Sequence, residues 1–197
     1  MNIQAQPMGP YQTNCYILTV DDKDFIIDPG VGALSWIKNH VTNPVAILNT
    51  HGHFDHVWSN QEVQDAYGIP IYCPQGDQEF LYNDPLQQGT PPSHADYIVK
   101  EDETLTISGV EFTFLFFPGH TPGCSMIRYE EHVFSGDFIF ESSIGRYDFP
   151  LSNPSHMKES LERFMTLDYD ATLYPGHGGT TSIKKEQQNT PYWLQNF

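Results

Sequence analysis

The sequence predicts a protein of mixed helices and strands, α/β or α+β, and three observations carry that expectation. Short apolar runs recur along the chain, among them Phe25-Ile26-Ile27, Val45-Ala46-Ile47-Leu48 and Phe112-Thr113-Phe114-Leu115-Phe116-Phe117, and each has strand length rather than helix length. Several of them run into glycine, proline or aspartate punctuation, as at Asp28-Pro29-Gly30 and Pro118-Gly119. One stretch, from Ser155 to Leu167, has helical periodicity instead, with Met157, Leu161, Phe164 and Met165 on one face.

Taken in order, Tyr16 to Val20 and Phe25 to Ile27 read as paired strands joined by the acidic turn Asp21-Asp22-Lys23-Asp24. Ala33 to His40 reads as a short helix and Val45 to Asn49 as a buried strand. Asn60 to Tyr67 reads as a helix opened by the Ser-x-x-Glu pattern at Ser59 and closed by Gly68 and Pro70. Ile69 to Cys73 is the next strand and Gln75 to Asn83 a helix. Asp84 to Asp96, punctuated by Pro85, Gly89, Pro91 and Pro92, is expected to be a long surface loop. A strand-rich half spans Tyr97 to Asp137. The helix from Ser155, a strand from Ala171 and a last helix from Ile183 complete the chain.

At 197 residues the chain fits one domain, 1–197, with room for a substantial core. Its 25 acidic against 9 basic residues give a net charge of −16. Phosphate backbones are bound by Lys and Arg that displace counterions, so nucleic acid is excluded as a partner. No apolar stretch approaches the roughly 20 residues of a membrane helix. Met1 to Pro10 is polar and has no basic segment, so it is not read as a secretory signal, and a cytoplasmic location is expected. Cys15, Cys73 and Cys124 are odd in number and lack C-x-x-C spacing, so they are read as reduced core thiols, with Cys124 close enough in sequence to His120 to contact a site there. Nothing in the sequence sets the oligomeric state.

Chemistry concentrates in a few loops. Thr50-His51-Gly52-His53-Phe54-Asp55-His56 places three histidines and a carboxylate in the turn between a buried strand and a helix. There the backbone is no longer committed to a sheet ladder, so His51 and His53 can converge on one ion while Asp55 and His56 face a second. Imidazole nitrogen and carboxylate oxygen are ligands for zinc and, less selectively, iron or manganese. Three more strand exits repeat the pattern, at Pro118-Gly119-His120-Thr121-Pro122-Gly123, Ser135-Gly136-Asp137 and Pro175-Gly176-His177-Gly178-Gly179. Taken singly these would be turn residues; taken together they point to one centre.

The H-x-H-x-D-H loop followed by His120, Asp137 and His177 resembles the signature of the metallo-β-lactamase superfamily, with all seven positions filled. Asn14-Cys15-Tyr16, Ile27-Asp28-Pro29-Gly30 and the segment from Gly136 to Pro150 extend the resemblance to short glyoxalase II-like hydrolases. The resemblance implies an α+β fold, a four-layer αββα sandwich. It also implies a ligand set: His51, His53 and His120 on one metal, Asp55, His56 and His177 on the other, and Asp137 bridging. Two divalent ions, zinc first and iron or manganese next, would lower the pKa of a shared water from about 15.7 to near 7 and supply a bridging hydroxide. Asp55 would both ligate and orient that nucleophile. A thioester is the favoured small-molecule substrate, because a thiolate with a free pKa of about 8.5 leaves without a general acid, and none is evident.

The implied substrate type is an S-hydroxyacylglutathione such as lactoylglutathione. Arg146 occupies the place of a basic glutathione contact, but the tyrosine that accompanies it in the long enzymes is Asp148 here, and most of their C-terminal domain with its basic residues is expected to be missing. Lys184 and Lys185 could assist. The alternative reading is a persulfide dioxygenase-like iron enzyme, which shares the ligand set and a Gly-Arg-x-Asp-Phe segment. Lactonase or β-lactamase activity is a side possibility, the latter disfavoured by Asp137 where several β-lactamases carry cysteine. A non-catalytic metal-binding module is the remaining one.

Overall fold

The structure is a computed structural model and describes residues 1–197. Strand β1 (Asn2–Met8) pairs antiparallel with β2 (Thr13–Val20), and β2 with β3 (Lys23–Ile27). The hairpin between β2 and β3 needs only Asp21 and Asp22, both at positive φ (48° and 59°), so it is tighter than the four-residue turn expected. Such two-residue turns match the right-handed twist of the flanking strands. Helix α1 (Ala33–Lys38) then leads to β4 (Pro44–Leu48). The short helix α2 (Phe54–Val57) and α3 (Asn60–Tyr67) lead to β5 (Ile71–Pro74), and α4 (Phe80–Asn83) precedes β6 (Tyr97–Val99). From β3 to β6 the strands run parallel, and the six form one sheet in sequence order.

The second half builds a second six-stranded sheet. Strands β7 (Thr104–Ile107), β8 (Val110–Phe116), β9 (Ser125–Tyr129) and β10 (His132–Gly136) follow one another antiparallel. A small hairpin, β11 (Ile139–Phe140) with β12 (Ser143–Ile144), precedes α5 (Pro154–Met165). Then β13 (Thr172–Pro175) returns beside β10 in parallel, and β14 (Thr181–Ser182) and α6 (Ile183–Leu194) close the chain.

Alternation along the strands explains the layering. In β3, Phe25 and Ile27 face the other sheet while Ile26 faces the helices, and all three are fully buried, as expected of strands covered on both faces. Three apolar layers result. One lies between the sheets, around Phe25, Phe112, Phe114 and Phe134. One joins the first sheet to α1 and α3, and one joins the second sheet to α5 and α6. The fold is therefore the four-layer αββα sandwich, and no helix is long and apolar enough to cross a membrane.

Several local expectations are corrected. Gln75 to Asn83 is not one helix but a 3-10 turn (Gln75–Asp77) followed by the single turn of α4. Ser59 precedes α3 but does not cap it; its hydroxyl donates to the Gly30 carbonyl at 2.7 Å, tying α3 to the loop after β3. Met165 is 38% exposed, off the buried face that Met157, Leu161 and Phe164 share. Helix α5 begins one residue early because Pro154 occupies its first position and the Asn153 side chain accepts from the His156 amide, an arrangement that satisfies the open end of a helix.

Candidate metal centre

The site forms where strands end. Beyond Leu48 the chain leaves the first sheet, and the Asn49 and Asn60 side chains pair amide to amide at 2.8 and 3.2 Å, fixing the loop between β4 and α3. Asp55 and His56 lie on the single turn of α2. His120 lies between β8 and β9, Asp137 follows β10 and His177 follows β13. Because β10 and β13 are parallel neighbours, their C-terminal ends adjoin, and this register sets Asp137 beside His177. Gly176 is a steric requirement: a Cβ there would lie 2.1 Å from Asp137 Oδ1.

All seven side chains read from the sequence come together. Possible ligand atoms of His51, His53 and His120 lie within 4.8 Å of one another, and so do those of Asp55, His56 and His177. Asp137 sits between the groups, 3.5 Å from His120 Nε2, 3.2 Å from His56 Nε2 and 3.3 Å from His177 Nε2. The Nε2 atoms of His51, His53 and His120 are buried without any hydrogen-bond partner, and His56 Nε2 and Asp137 Oδ1 have none beyond their mutual 3.2 Å contact. Such orphaned polar atoms each cost about 1–3 kcal/mol. Three of them, converging with the His56–Asp137 contact on one point, fit a pair of bound cations.

The opposite ring nitrogens of four of the five site histidines are committed. His56 Nδ1 meets Asp28 Oδ2 at 2.9 Å, His120 Nδ1 the Arg146 carbonyl at 2.7 Å, and His177 Nδ1 the Tyr11 carbonyl at 3.1 Å. His51 Nδ1 meets the Thr50 hydroxyl at 3.0 Å, which itself donates to Asp28 Oδ2 at 2.6 Å. A proton held on Nδ1 leaves the Nε2 lone pair for a metal. Asp28 thus organises a histidine from each group. The Thr13 hydroxyl donates to Asp55 Oδ2 at 2.6 Å.

Electrostatics shows the same need for cations. Burial holds His51 well below the usual imidazole range and, with His120, pushes His53 down to about 3. Burial opposes charge on His56 too, but Asp137 and Asp55 outweigh it and raise its pKa well above that range. His177, opposed by burial but bonded to Asp137 and Asp55, is raised to about 9. Burial would raise Asp55, yet His56 and His177 bring it to about 2, and the same two histidines hold Asp137 well below the carboxylate range. Without a metal, protons on His56 and His177 balance the two carboxylates; divalent cations replace them.

Asp77 was missed in the sequence because it is a lone carboxylate in a short turn. It is fully buried and accepts from Gly52 N at 2.7 Å, the Thr121 hydroxyl at 2.6 Å and Gly123 N at 2.5 Å, so it clamps the His51–His53 loop to the His120 loop. Burial raises its pKa to about 6, against the pull of those three donors. The native state therefore keeps this proton to higher pH than the unfolded chain. The stability it contributes is complete below the ordinary carboxylate pKa and is lost as pH rises through about 6, a change of about 3 kcal/mol. Thermal melts of the chelated protein should thus show the advantage of wild type over Asp77→Asn shrinking between pH 4.5 and 7.5. A pH-independent gap would contradict a buried, titrating carboxylate.

Above the seven residues opens a cavity of about 700 Å³, walled by Tyr11, Phe54, Leu86, Phe140, Ile144 and Phe149. Pro85 to Gln88 line it as well, so the stretch expected to be only a surface loop forms one wall of the site. Arg146 reaches the rim, while Lys184 bonds the Leu167 carbonyl and Lys185 pairs with Glu141, and neither lines the cavity. Cys124 belongs to the apolar layer under α5, where burial raises its thiol pKa, and it is not among the converging ligand atoms.

Two groups of possible ligand side chains at strand ends, with Asp137 between them beneath an apolar cavity, form a cluster able to bind metal ions. The chain belongs to the metallo-β-lactamase superfamily, whose family model matches residues 8–177. It is 33% identical to a probable metallo-hydrolase, YqgX of Bacillus subtilis, over 98% of this chain and 97% of that one. It is also 33% identical to the hydroxyacylglutathione hydrolase GloC of Haemophilus influenzae, over 98% of each. Among solved structures, the B3 metallo-β-lactamase BLEG-1 superposes with a TM-score of 0.87 at 33% identity over 98% of this chain and 99% of that one. TTHA1623, in a di-iron-bound form, gives 0.84 at 31% identity over 96% and 99%. The protein is a metal-dependent hydrolase of this superfamily.

Proposed function

We propose that the chain is a thioester hydrolase of the glyoxalase II type, acting on S-acyl thiols that include S-hydroxyacylglutathione. The observation that carries this reading is the pair of ligand groups joined by Asp137, with orphaned Nε2 atoms, opening into one apolar cavity. His51, His53 and His120 would hold one divalent ion, Asp55, His56 and His177 the other, and Asp137 both. Zinc is the first choice and iron the second, the latter supported by the di-iron neighbour. Bound there, the ions supply an acidified water and Lewis-acid polarisation of the acyl carbonyl.

The protein's own groups do the positioning. Asp55 is fixed by Thr13 and directs the attacking oxygen toward the acyl carbon. The rings of Tyr11, Phe54 and Phe149 keep bulk water from the acyl group, which strengthens every charge interaction beneath it. A new C–O bond forms, the C–S bond breaks, and sulfur leaves as thiolate with the bonding pair. That leaving group needs no protonation, and no side chain over the cavity is placed as a general acid.

The test is a thioester assay with S-lactoylglutathione on zinc-loaded and iron-loaded protein, beside an oxygen-electrode trace with glutathione persulfide. Metal-dependent thioester cleavage with no oxygen uptake is expected. Rapid oxygen uptake by the iron form without thioester cleavage would replace this reading by the dioxygenase. A β-lactam assay belongs in the same series because of the likeness to BLEG-1, and turnover there is expected only as a side activity.

A further inference from the structure

His177 is the least enclosed of the five site histidines: its side chain is 30% exposed, whereas His51, His53, His56 and His120 are 0–3% exposed. Packing therefore does little to hold it. Its loop, Pro175-Gly176-His177-Gly178, carries glycine on both sides, and Gly178 sits at a φ of 79°, so the backbone there has unusual freedom to lose. The restraint comes from the start of β2. The buried Asn14 donates both N–H groups of its side-chain amide to carbonyls that flank the histidine, at 3.0 Å to Pro175 and 3.0 Å to Gly178. Its backbone N–H donates to the Gly176 carbonyl at 2.7 Å. Tyr16 adds its hydroxyl to the Pro175 carbonyl at 2.6 Å, and the Tyr11 carbonyl meets His177 Nδ1 at 3.1 Å. One side chain on the first sheet thus brackets a ligand on the second from before and after.

We propose that Asn14 is a positioning residue for His177 and that its two side-chain bonds hold the second metal position in shape. The inference rests on the two-metal assignment in the proposed function and adds to it a residue outside the seven. The same segment serves that position twice, because the Thr13 hydroxyl holds Asp55. No side chain from Tyr11 to Tyr16 bonds to His51, His53 or His120, so the segment acts on one ligand group alone. A short amide is suited to this bracket because it is neutral and gives two N–H donors at once; serine offers one donor and alanine none. With the bracket removed, the Pro175 carbonyl keeps Tyr16, the Gly178 carbonyl turns to water, and the imidazole loses its fixed bearing.

The experiment titrates the chelated protein with zinc against a chromophoric competitor and resolves the binding of each ion in wild type, Asn14→Ala, Asn14→Ser and His177→Ala. The step missing from His177→Ala identifies the second position. In Asn14→Ala that step should weaken about ten- to a hundredfold, the range for groups that orient a metal ligand from behind, while the other step moves less than about threefold. Asn14→Ser, with one shorter donor, should fall between wild type and alanine. Circular dichroism of the chelated variants is expected to match wild type, which separates lost positioning from lost fold, since a general loosening would weaken both steps alike. A second step unmoved in both Asn14 variants, or equal weakening of both steps, overturns the inference while leaving the hydrolase reading intact. Wild type that binds fewer than two ions removes the two-metal assignment with it.

Discussion

Asp55→Ala is expected to lower kcat for thioester hydrolysis by about three orders of magnitude or more, with metal at the His51, His53 and His120 group largely retained. Asp55 groups with His56 and His177 and not with His51, His53 and His120, so its removal leaves three buried imidazoles facing the first position. Its carboxylate is held by the Thr13 hydroxyl and lies 3.5 Å from His177 Nε2, on the cavity side of the centre. The variant therefore loses the group that orients the nucleophile, not the fold. Single-turnover rates and elemental analysis on the same sample separate these effects. Wild-type turnover at full metal loading would show that Asp55 does not position the nucleophile.

The ligand loops were legible in the sequence because their chemistry is local. His51 to His56 announce themselves by density, and His120, Asp137 and His177 by recurring strand exits with glycine and proline. The residues that hold these ligands in one tautomer were not legible. Asp28 lies in a motif that looks like an ordinary turn, and only the folded sheet brings it against His56 and Thr50. Asp77 contacts residues about as far away as the β8–β9 loop, and the decisive atom of Arg146 at the metal centre is its carbonyl, which any residue could supply. Neither role leaves a residue-type signal. The strand-length apolar runs carried only the mixed α/β or α+β class, and the sandwich came from the resemblance, while β1 was not assigned because an edge strand exposed along much of its length lacks the apolar alternation that marks a buried one. The single turn of α4 falls below the length at which helical periodicity can be read.

Chelation is the second large effect. Removing metal should abolish activity and lower the melting temperature by roughly 10 °C for each ion lost at neutral pH, since ligand binding to the native state alone contributes about 4 kcal/mol per site at a thousandfold excess over Kd. The structure says where that stabilisation resides. The buried Nε2 atoms of His51, His53 and His120 have no protein partner, and Thr50 and Arg146 already hold the His51 and His120 rings from behind. The same fixation means that the chelated protein should keep its secondary structure while it loses stability, because the sheets, the apolar layers and the Asp77 clamp do not depend on the ions. Circular dichroism at 20 °C and a thermal scan, each before and after chelation and again after zinc is restored, would record both halves of the result. A protein purified free of metal, with a melting temperature unchanged by added zinc, would contradict the assignment of these seven side chains to a dinuclear centre.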